Sequence, residues 1–227
     1  MQQNILNIQE LEVNKVQVSI SQLKKTVVQT LSSVEITDVH THLFPKQFSS
    51  LSLFGVDEIL TYHYLIAEFF RYSSLDYGEF FRLPKAKQAD LVWQTLFLER
   101  SPVSESQRGV LTILNRLGLD IQSRSLEEYR AYYKTRTIDE QVDTVFSLAG
   151  VKEVVMTNDP FDFVERKVWK EGSGQEDSRF KAAMRIDPLL LDYGNTYKIL
   201  QEEDYQVDSD LGEKSVSEVR RFLADWI

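Results

Sequence analysis

Two histidines placed two positions apart are the part of this sequence that most directly suggests chemistry. His40 and His42 follow an apolar stretch that begins at Val34 and is typical of a short strand. In an extended chain, residues two apart point to the same side, so both imidazoles could reach one ion. Neutral imidazole is a good ligand for zinc, iron and related divalent metals. A pair of ordinary packed or surface histidines is the alternative, but the chain has only 3 histidines, and Asp38 and Thr41 lie beside the pair. The pattern therefore favours a divalent metal site.

Three further side chains are candidates for contact with a ligand. His63 falls on the apolar stripe of a predicted helix, which is typical of a packed histidine, and Tyr64 lies to one side of that stripe. Arg185 is flanked by apolar residues, and a guanidinium in such surroundings needs an anion because its desolvation alone is costly. That anion could be Asp187 or Asp159, or the carboxylate of a substrate, and the residues alone leave the choice open.

The elements that must position these side chains are three short strands, predicted over residues 34–40, 151–157 and 180–186. Each strand ends in polar residues, and helical patterns separate the strands, so parallel β-α units are expected. In closed barrels of such units, the reacting groups lie at the carboxyl ends of the strands. A long, wholly helical insertion is predicted over about residues 55–149, with four or five helices between the first strand and the second.

Helix starts are predicted from capping boxes, in which Ser or Thr is followed three residues later by Glu or Gln. Four such pairs are interpreted as helix starts: Ser104 with Gln107, Ser125 with Glu128, Thr137 with Glu140, and Ser215 with Glu218.

Composition excludes several classes of function. The 227 residues carry 26 Lys and Arg against 35 Asp and Glu, a net charge of −9, so neither a nucleic-acid nor an anionic membrane partner is expected. The absence of cysteine excludes disulfides and thiolate sites. The sequence has no apolar run near the roughly 20 residues that span a bilayer, and its first residues do not resemble a signal peptide. A cytoplasmic globular protein is expected.

The combined motifs resemble the uronate isomerases of the amidohydrolase superfamily. Residues 38–44, Asp-Val-His-Thr-His-Leu-Phe, are similar to the first-strand metal motif of that superfamily. Residues 60–65, Leu-Thr-Tyr-His-Tyr-Leu, are similar to the segment that follows in uronate isomerases. The helical insertion and the segments 157–160 and 185–188 also agree, so the likeness extends from about residue 20 to the C-terminus.

This resemblance implies a TIM barrel, a (β/α)8 α/β fold of the metal-dependent hydrolase type, that interconverts hexuronates such as glucuronate and fructuronate. By the same likeness, His40 and His42 would bind the metal, usually zinc. His63, Tyr64 and Arg185 would contact the substrate, with Tyr64 assisting proton movement at the sugar oxygens.

The family also uses a histidine from a middle strand and an aspartate from the last strand, and neither has a counterpart in this chain. The 227 residues are therefore expected to be the N-terminal part of one barrel domain, inactive alone. Either a homo-oligomer or a complementing C-terminal half would be its protein partner. Metal-dependent hydrolysis and a non-catalytic truncated homologue are the alternative functions.

Overall fold

A computed structural model describes residues 19–48, 51–172 and 176–226 of the chain. These residues belong to two compact units, Met1–Glu35 and Ile36–Ile227. In the first unit, helix α1 covers Ile20–Ser33 and begins at Ser19, whose side chain accepts a hydrogen bond from the Gln22 backbone N–H. Residues 1–18 lie outside the described residues.

The second unit contains the three predicted strands, paired in parallel in the order β1-β2-β3. They cover Ile36–Asp38, Val151–Asn158 and Phe180–Met184. β1 is shorter than the predicted strand over 34–40 because the Asp38 carboxylate accepts a hydrogen bond from the His40 backbone N–H at 3.0 Å. This side-chain bond to the backbone competes with the strand ladder and turns the chain out of the sheet.

The region between β1 and β2 is helical, as predicted, but its helices are shorter and more numerous. The described residues there form seven α-helices: α2 Val56–Leu60, α3 His63–Phe70, α4 Tyr77–Arg82, α5 Lys85–Trp93, α6 Glu105–Arg116, α7 Glu127–Lys134 and α8 Ile138–Ala149. The expected continuous apolar stripe is divided between α2 and α3. Thr61 donates its hydroxyl to the Asp57 carbonyl, and Tyr62 adopts an extended backbone before α3 begins.

Two of the four predicted capping boxes form, those of Ser104 in α6 and Thr137 in α8. The other two predictions are wrong. Helix α7 begins at Glu127 without a side-chain cap. Helix α12 covers Glu213–Trp226 and so begins before Ser215, whose hydroxyl accepts a hydrogen bond from the Asp208 N–H instead. A nearby backbone donor outside the helix thus takes the oxygen that the pattern assigned to the cap.

Three further helices follow β2 and β3: α9 Phe163–Lys170, α10 Asp187–Leu191 and α11 Tyr193–Glu202. No helix among residues 19–48, 51–172 and 176–226 combines the length and the apolar character needed to cross a bilayer.

Alternate residues of β2 and β3 face opposite sides of the sheet. One side packs against α8 and α9 and is buried, with Val154, Met156 and Phe180 at its centre. The other side carries polar groups, among them Glu153, which accepts a hydrogen bond from the Thr37 hydroxyl at 3.0 Å. The sheet is thus apolar towards the helices and polar on its opposite face.

The helical insertion has its own apolar core, separate from that of the sheet. Its largest fully buried side chains include Leu60, Phe69, Phe80, Leu96, Leu114 and Tyr129. Because these residues come from α2, α3, α4, α6 and α7 and from the turn that follows α5, the insertion is held together by its own packing.

Truncation of Leu60 to alanine should lower the free energy of unfolding by about 2–5 kcal/mol, because it opens a cavity in the core of the insertion. Urea unfolding measures the change. The matched control is Val103→Ala, at a side chain that is 77% exposed, which should change stability by no more than about 0.5 kcal/mol. Equal effects of the two substitutions would contradict this account of the core.

Candidate functional site

The two histidines of the motif lie in a bend directly after β1, not on the strand itself. Their ring centroids are 6.1 Å apart and the ring planes are nearly perpendicular, at 87°. The sequence analysis expected both rings to point to one side because the chain would be extended there. That reason is wrong, since neither histidine belongs to β1. The Asx-type turn at Asp38 nevertheless brings the two rings close together.

A tyrosine that the sequence patterns did not single out joins this pair to α3. The Tyr62 hydroxyl shares a 2.8 Å hydrogen bond with Nε2 of His42. The Tyr62 ring also lies 4.2 Å from the His63 ring and 5.4 Å from the Tyr64 ring, centroid to centroid. The structure thus brings four of the five predicted site residues, together with Tyr62, into one aromatic cluster.

The apolar stripe predicts that His63 is packed in the interior, but the structure places it on the surface. His63 is the first residue of α3 and is exposed, and Tyr64 is 58% exposed. Thr61 and Tyr62 separate α2 from α3, so the apolar stripe predicted from the sequence does not run continuously through His63. Both side chains are therefore available to a ligand.

The electrostatics of the cluster favour a neutral imidazole at His42. Partial burial lowers the pKa of His42 below its ordinary value of about 6.5, and the charges that His40 and His63 could carry lower it further. Neutral imidazole is the form that binds metals.

The two histidines supply the donor type of part of a metal site, but their spacing is too wide for a tetrahedral ion. Two imidazoles that share a tetrahedral zinc through Zn–N bonds of about 2.0–2.1 Å have ring centroids roughly 5 Å apart. The observed 6.1 Å is about 1 Å longer, so the rings would have to move closer together to share an ion. An ion could use Nε2 of His42 only by displacing the Tyr62 hydroxyl. Within the described ranges, no group of three or more His, Asp or Glu side chains could hold a metal ion.

The end of β2 is fixed by a carboxylate that the sequence analysis missed. Glu165, in α9, accepts hydrogen bonds from the Asn158 side-chain amide at 2.9 Å and from the Asp159 backbone N–H at 3.0 Å. Burial raises the pKa of Glu165, although these two bonds oppose the shift. The sequence did contain a signal for Glu165, since Asp162 and Glu165 have the spacing of a capping box. The Glu165 side chain, however, bonds to the end of β2 and not to the backbone at Asp162.

Arg185 lies apart from the aromatic cluster. Its backbone N–H donates to the Asn158 carbonyl at 2.8 Å, so it directly follows β3. With β2 between β1 and β3, two strand spacings of about 4.8 Å separate this position from β1 by roughly 10 Å. The guanidinium is about half exposed and pairs with Asp187 at 3.1 Å. Asp187 is therefore its protein partner in this structure, and contact with a substrate stays a prediction.

Two clefts adjoin the aromatic cluster. A cleft of about 420 Å³ has His42, Tyr62 and Tyr64 at one end, and its other walls are mainly apolar side chains of the helical insertion. A second cleft, of about 480 Å³, contains Tyr62 and His63 together with Glu58 and Lys85. The second lining offers more charged groups to a polar ligand.

The structure is similar to the crystal structure of a uronate isomerase from Bacillus halodurans C-125, with a TM-score of 0.88 and 50% sequence identity. The match covers 92% of this chain and 50% of that chain. The resemblance predicted from the sequence is confirmed. This chain spans half the length of the uronate isomerase that it matches. No family model and no curated protein matches the sequence.

We expect His42 to titrate below pH 6.5 in an NMR experiment, which the 3 histidines make assignable by single substitutions. Because the folded state then binds protons more weakly than the unfolded state, the contribution of His42 to stability decreases as the pH falls below about 6.5. His40→Gln should raise the midpoint of His42, since it removes a neighbouring positive charge.

The control for this titration is Arg116→Gln, on the exposed surface of α6, which should leave the midpoint unchanged. A midpoint at or above that of a free histidine would show that the pair is fully solvated and would contradict the geometry described above.

Proposed function

We propose that this chain carries the first metal ligands and part of the substrate site of a uronate isomerase. The reaction would be the aldose–ketose isomerisation of hexuronates, of the glucuronate-to-fructuronate type. The observation that carries the proposal is the 50% identical match to a uronate isomerase over 92% of the chain. The cluster of His40, His42, His63 and Tyr64 beyond the end of β1 supports it.

The proposed chemistry moves a proton between adjacent carbons of the sugar. A divalent metal, with zinc as the expected ion, would stabilise the negative charge that develops on the sugar oxygens. His40 and His42 would hold that ion, which the neutral form of His42 favours. The exposed Tyr64 hydroxyl would exchange protons with the sugar oxygens, and His63, whose ring lies 4.2 Å from that of Tyr64, would contact the substrate beside it.

Arg185 would bind the substrate carboxylate. Its guanidinium is already paired with a carboxylate, that of Asp187, and remains about half exposed. A hexuronate carboxylate could therefore exchange with or join Asp187 at the same donors, in the bidentate geometry that guanidinium favours. The distance from β1 to the end of β3, roughly 10 Å by strand spacing, would place the carboxylate and the reacting carbons at opposite ends of the sugar.

The proposed setting for this chemistry is a TIM barrel of which the three parallel strands form one part. Two described ligands are fewer than the three protein ligands that catalytic zinc sites usually have. We therefore expect weak zinc binding and no turnover from this chain alone, with the remaining ligands supplied by the rest of a barrel.

The test is a single polypeptide in which this chain is joined to the half of the Bacillus halodurans isomerase that it does not match. With zinc, the fusion should convert glucuronate to fructuronate. His40→Ala and His42→Ala should each reduce bound zinc and activity at least tenfold, and the matched control Thr112→Ala, on the exposed side of α6, should not. A folded, zinc-loaded fusion that acts on no hexuronate would refute the isomerase assignment, and hydrolysis of amides or esters would favour a hydrolase.

In the same fusion, Arg185→Met should raise KM for the hexuronate by about 10- to 100-fold, the equivalent of one charged hydrogen-bonding partner. Arg185→Lys should retain part of the binding, because it keeps the charge but loses the bidentate geometry. Steady-state kinetics distinguish the two. If both variants match the parent in KM, Arg185 serves only to pair with Asp187.

A further inference from the structure

One ring nitrogen of His42 is already engaged by another side chain of the protein. The Tyr62 hydroxyl lies 2.8 Å from Nε2 of His42, which is a normal length for a hydrogen bond. The phenol donates to the Nε2 lone pair in one imidazole tautomer and accepts a proton from Nε2 in the other. In both tautomers, Nε2 has no free lone pair to offer an ion.

The bend after β1 has a fixed backbone but exposed imidazoles. The Asp38 carboxylate accepts a hydrogen bond from the His40 N–H at 3.0 Å. The Thr41 hydroxyl accepts one from the Leu43 N–H at 2.9 Å. The rings of His40 and His42 are both exposed, so the 6.1 Å between their centroids can be shortened by side-chain rotation. The hydrogen bond to the phenol opposes that rotation at His42.

The phenol itself belongs to the junction of α2 and α3. The Tyr62 carbonyl accepts hydrogen bonds from the Leu65 N–H at 3.0 Å and the Ile66 N–H at 3.1 Å, so the backbone of Tyr62 is held at the start of α3. Its ring packs beside those of His63 and Tyr64. The side chain also borders both clefts that adjoin the cluster, so there is space on either side into which it can turn.

We infer that Tyr62 is a gate on the metal donor of His42. Its hydroxyl occupies Nε2 and holds this imidazole away from that of His40. His42 becomes available to a divalent cation only when the hydrogen bond breaks and the phenol turns into one of the two clefts. The assignment of His40 and His42 as ligands rests on the proposed function, whereas the Tyr62 bond is a feature of the structure.

A gate and a supporting residue have opposite effects on zinc affinity. The net strength of a neutral hydrogen bond corresponds to about a 2- to 10-fold change in an equilibrium constant. If Tyr62 is a gate, zinc should bind more tightly by about this factor when the hydroxyl is removed. If the ion instead used Nδ1 of His42, Tyr62 would orient the ligand from the other side of the ring. Loss of such a partner weakens metal binding by about 10- to 100-fold.

The test is a zinc titration of the full chain, followed by NMR of the ring nitrogens of its 3 histidines labelled with ¹⁵N. In the parent protein, zinc should shift the Nε2 resonance of His42 to the metal-bound range and leave Nδ1 as a protonated nitrogen. The ring resonances of Tyr62 should shift in step with Nε2. These readouts need no variant.

Tyr62→Phe keeps the aromatic ring and removes only the hydroxyl, so it should fold like the parent and bind zinc about 2- to 10-fold more tightly. Its matched control is Tyr77→Phe, which removes the hydroxyl of a tyrosine that is 63% exposed in α4 and should leave zinc affinity unchanged.

Three results would overturn the gate alone: equal zinc affinity of the parent and Tyr62→Phe, weaker binding by the variant, or a zinc shift at Nδ1 of His42. Absence of zinc binding by both proteins would refute the histidine pair as ligands. That result would remove the metal site of the proposed function together with the gate. Isomerase activity enters none of these readouts.

Discussion

Parallel pairing of β2 with both neighbouring strands is the constraint on which the rest of the structure depends. This pairing places the carboxyl ends of the three strands at the same end of the sheet. His40, Asn158 and Arg185 lie at or just after these strand ends. The pairing of β1 is set by the Ile36 N–H, which donates to the Gly150 carbonyl at 3.2 Å. Gly150 ends α8 in a left-handed conformation, with φ of +66°, that residues with a side chain rarely adopt, so the return from the helical insertion into β2 depends on this glycine.

The helical insertion does more than connect two strands, because it supplies three of the five residues of the aromatic cluster. Arg130 of α7 bonds to Asp57 of α2 at 2.9 Å and to Asp90 of α5 at 2.7 Å, with its side chain only 15% exposed. Removal of Arg130 would leave the largely buried Asp57 carboxylate without this cation, so the network helps to fix the three helices relative to one another. The Asp57 carbonyl also accepts a hydrogen bond from the Thr61 hydroxyl at the end of α2, and the next residue, Tyr62, bonds to His42.

Much of this arrangement could be predicted from the sequence, and the errors share one cause. The three strands, their parallel direction and the two formed capping boxes follow from local patterns. The length of β1 and the failed caps depended on which backbone donor a side-chain oxygen meets, and local spacing does not determine that choice. Tyr62 was missed for the same reason: its role depends on a contact with His42, 20 residues earlier in the chain. Arg185 could be placed at the end of β3, but its separation from the histidines required the strand order.

The polar face of the sheet suits the interior of the barrel proposed above. On this face the Thr37 hydroxyl and Glu153 form a hydrogen bond, and Lys181 of the edge strand is exposed. An isolated sheet gains nothing from polar residues on one face beyond solubility, whereas the interior of a barrel can pair them with groups from the opposite strands. The candidate site is also incomplete. Its two imidazoles lie beyond the end of an edge strand, and no third ligand joins them within the described ranges. In the barrel proposed above, the polar face and the partial ligand set of the described residues would both face the strands that the rest of the barrel supplies. The proposed barrel would thus give the polar face of the sheet and the incomplete ligand set one common cause.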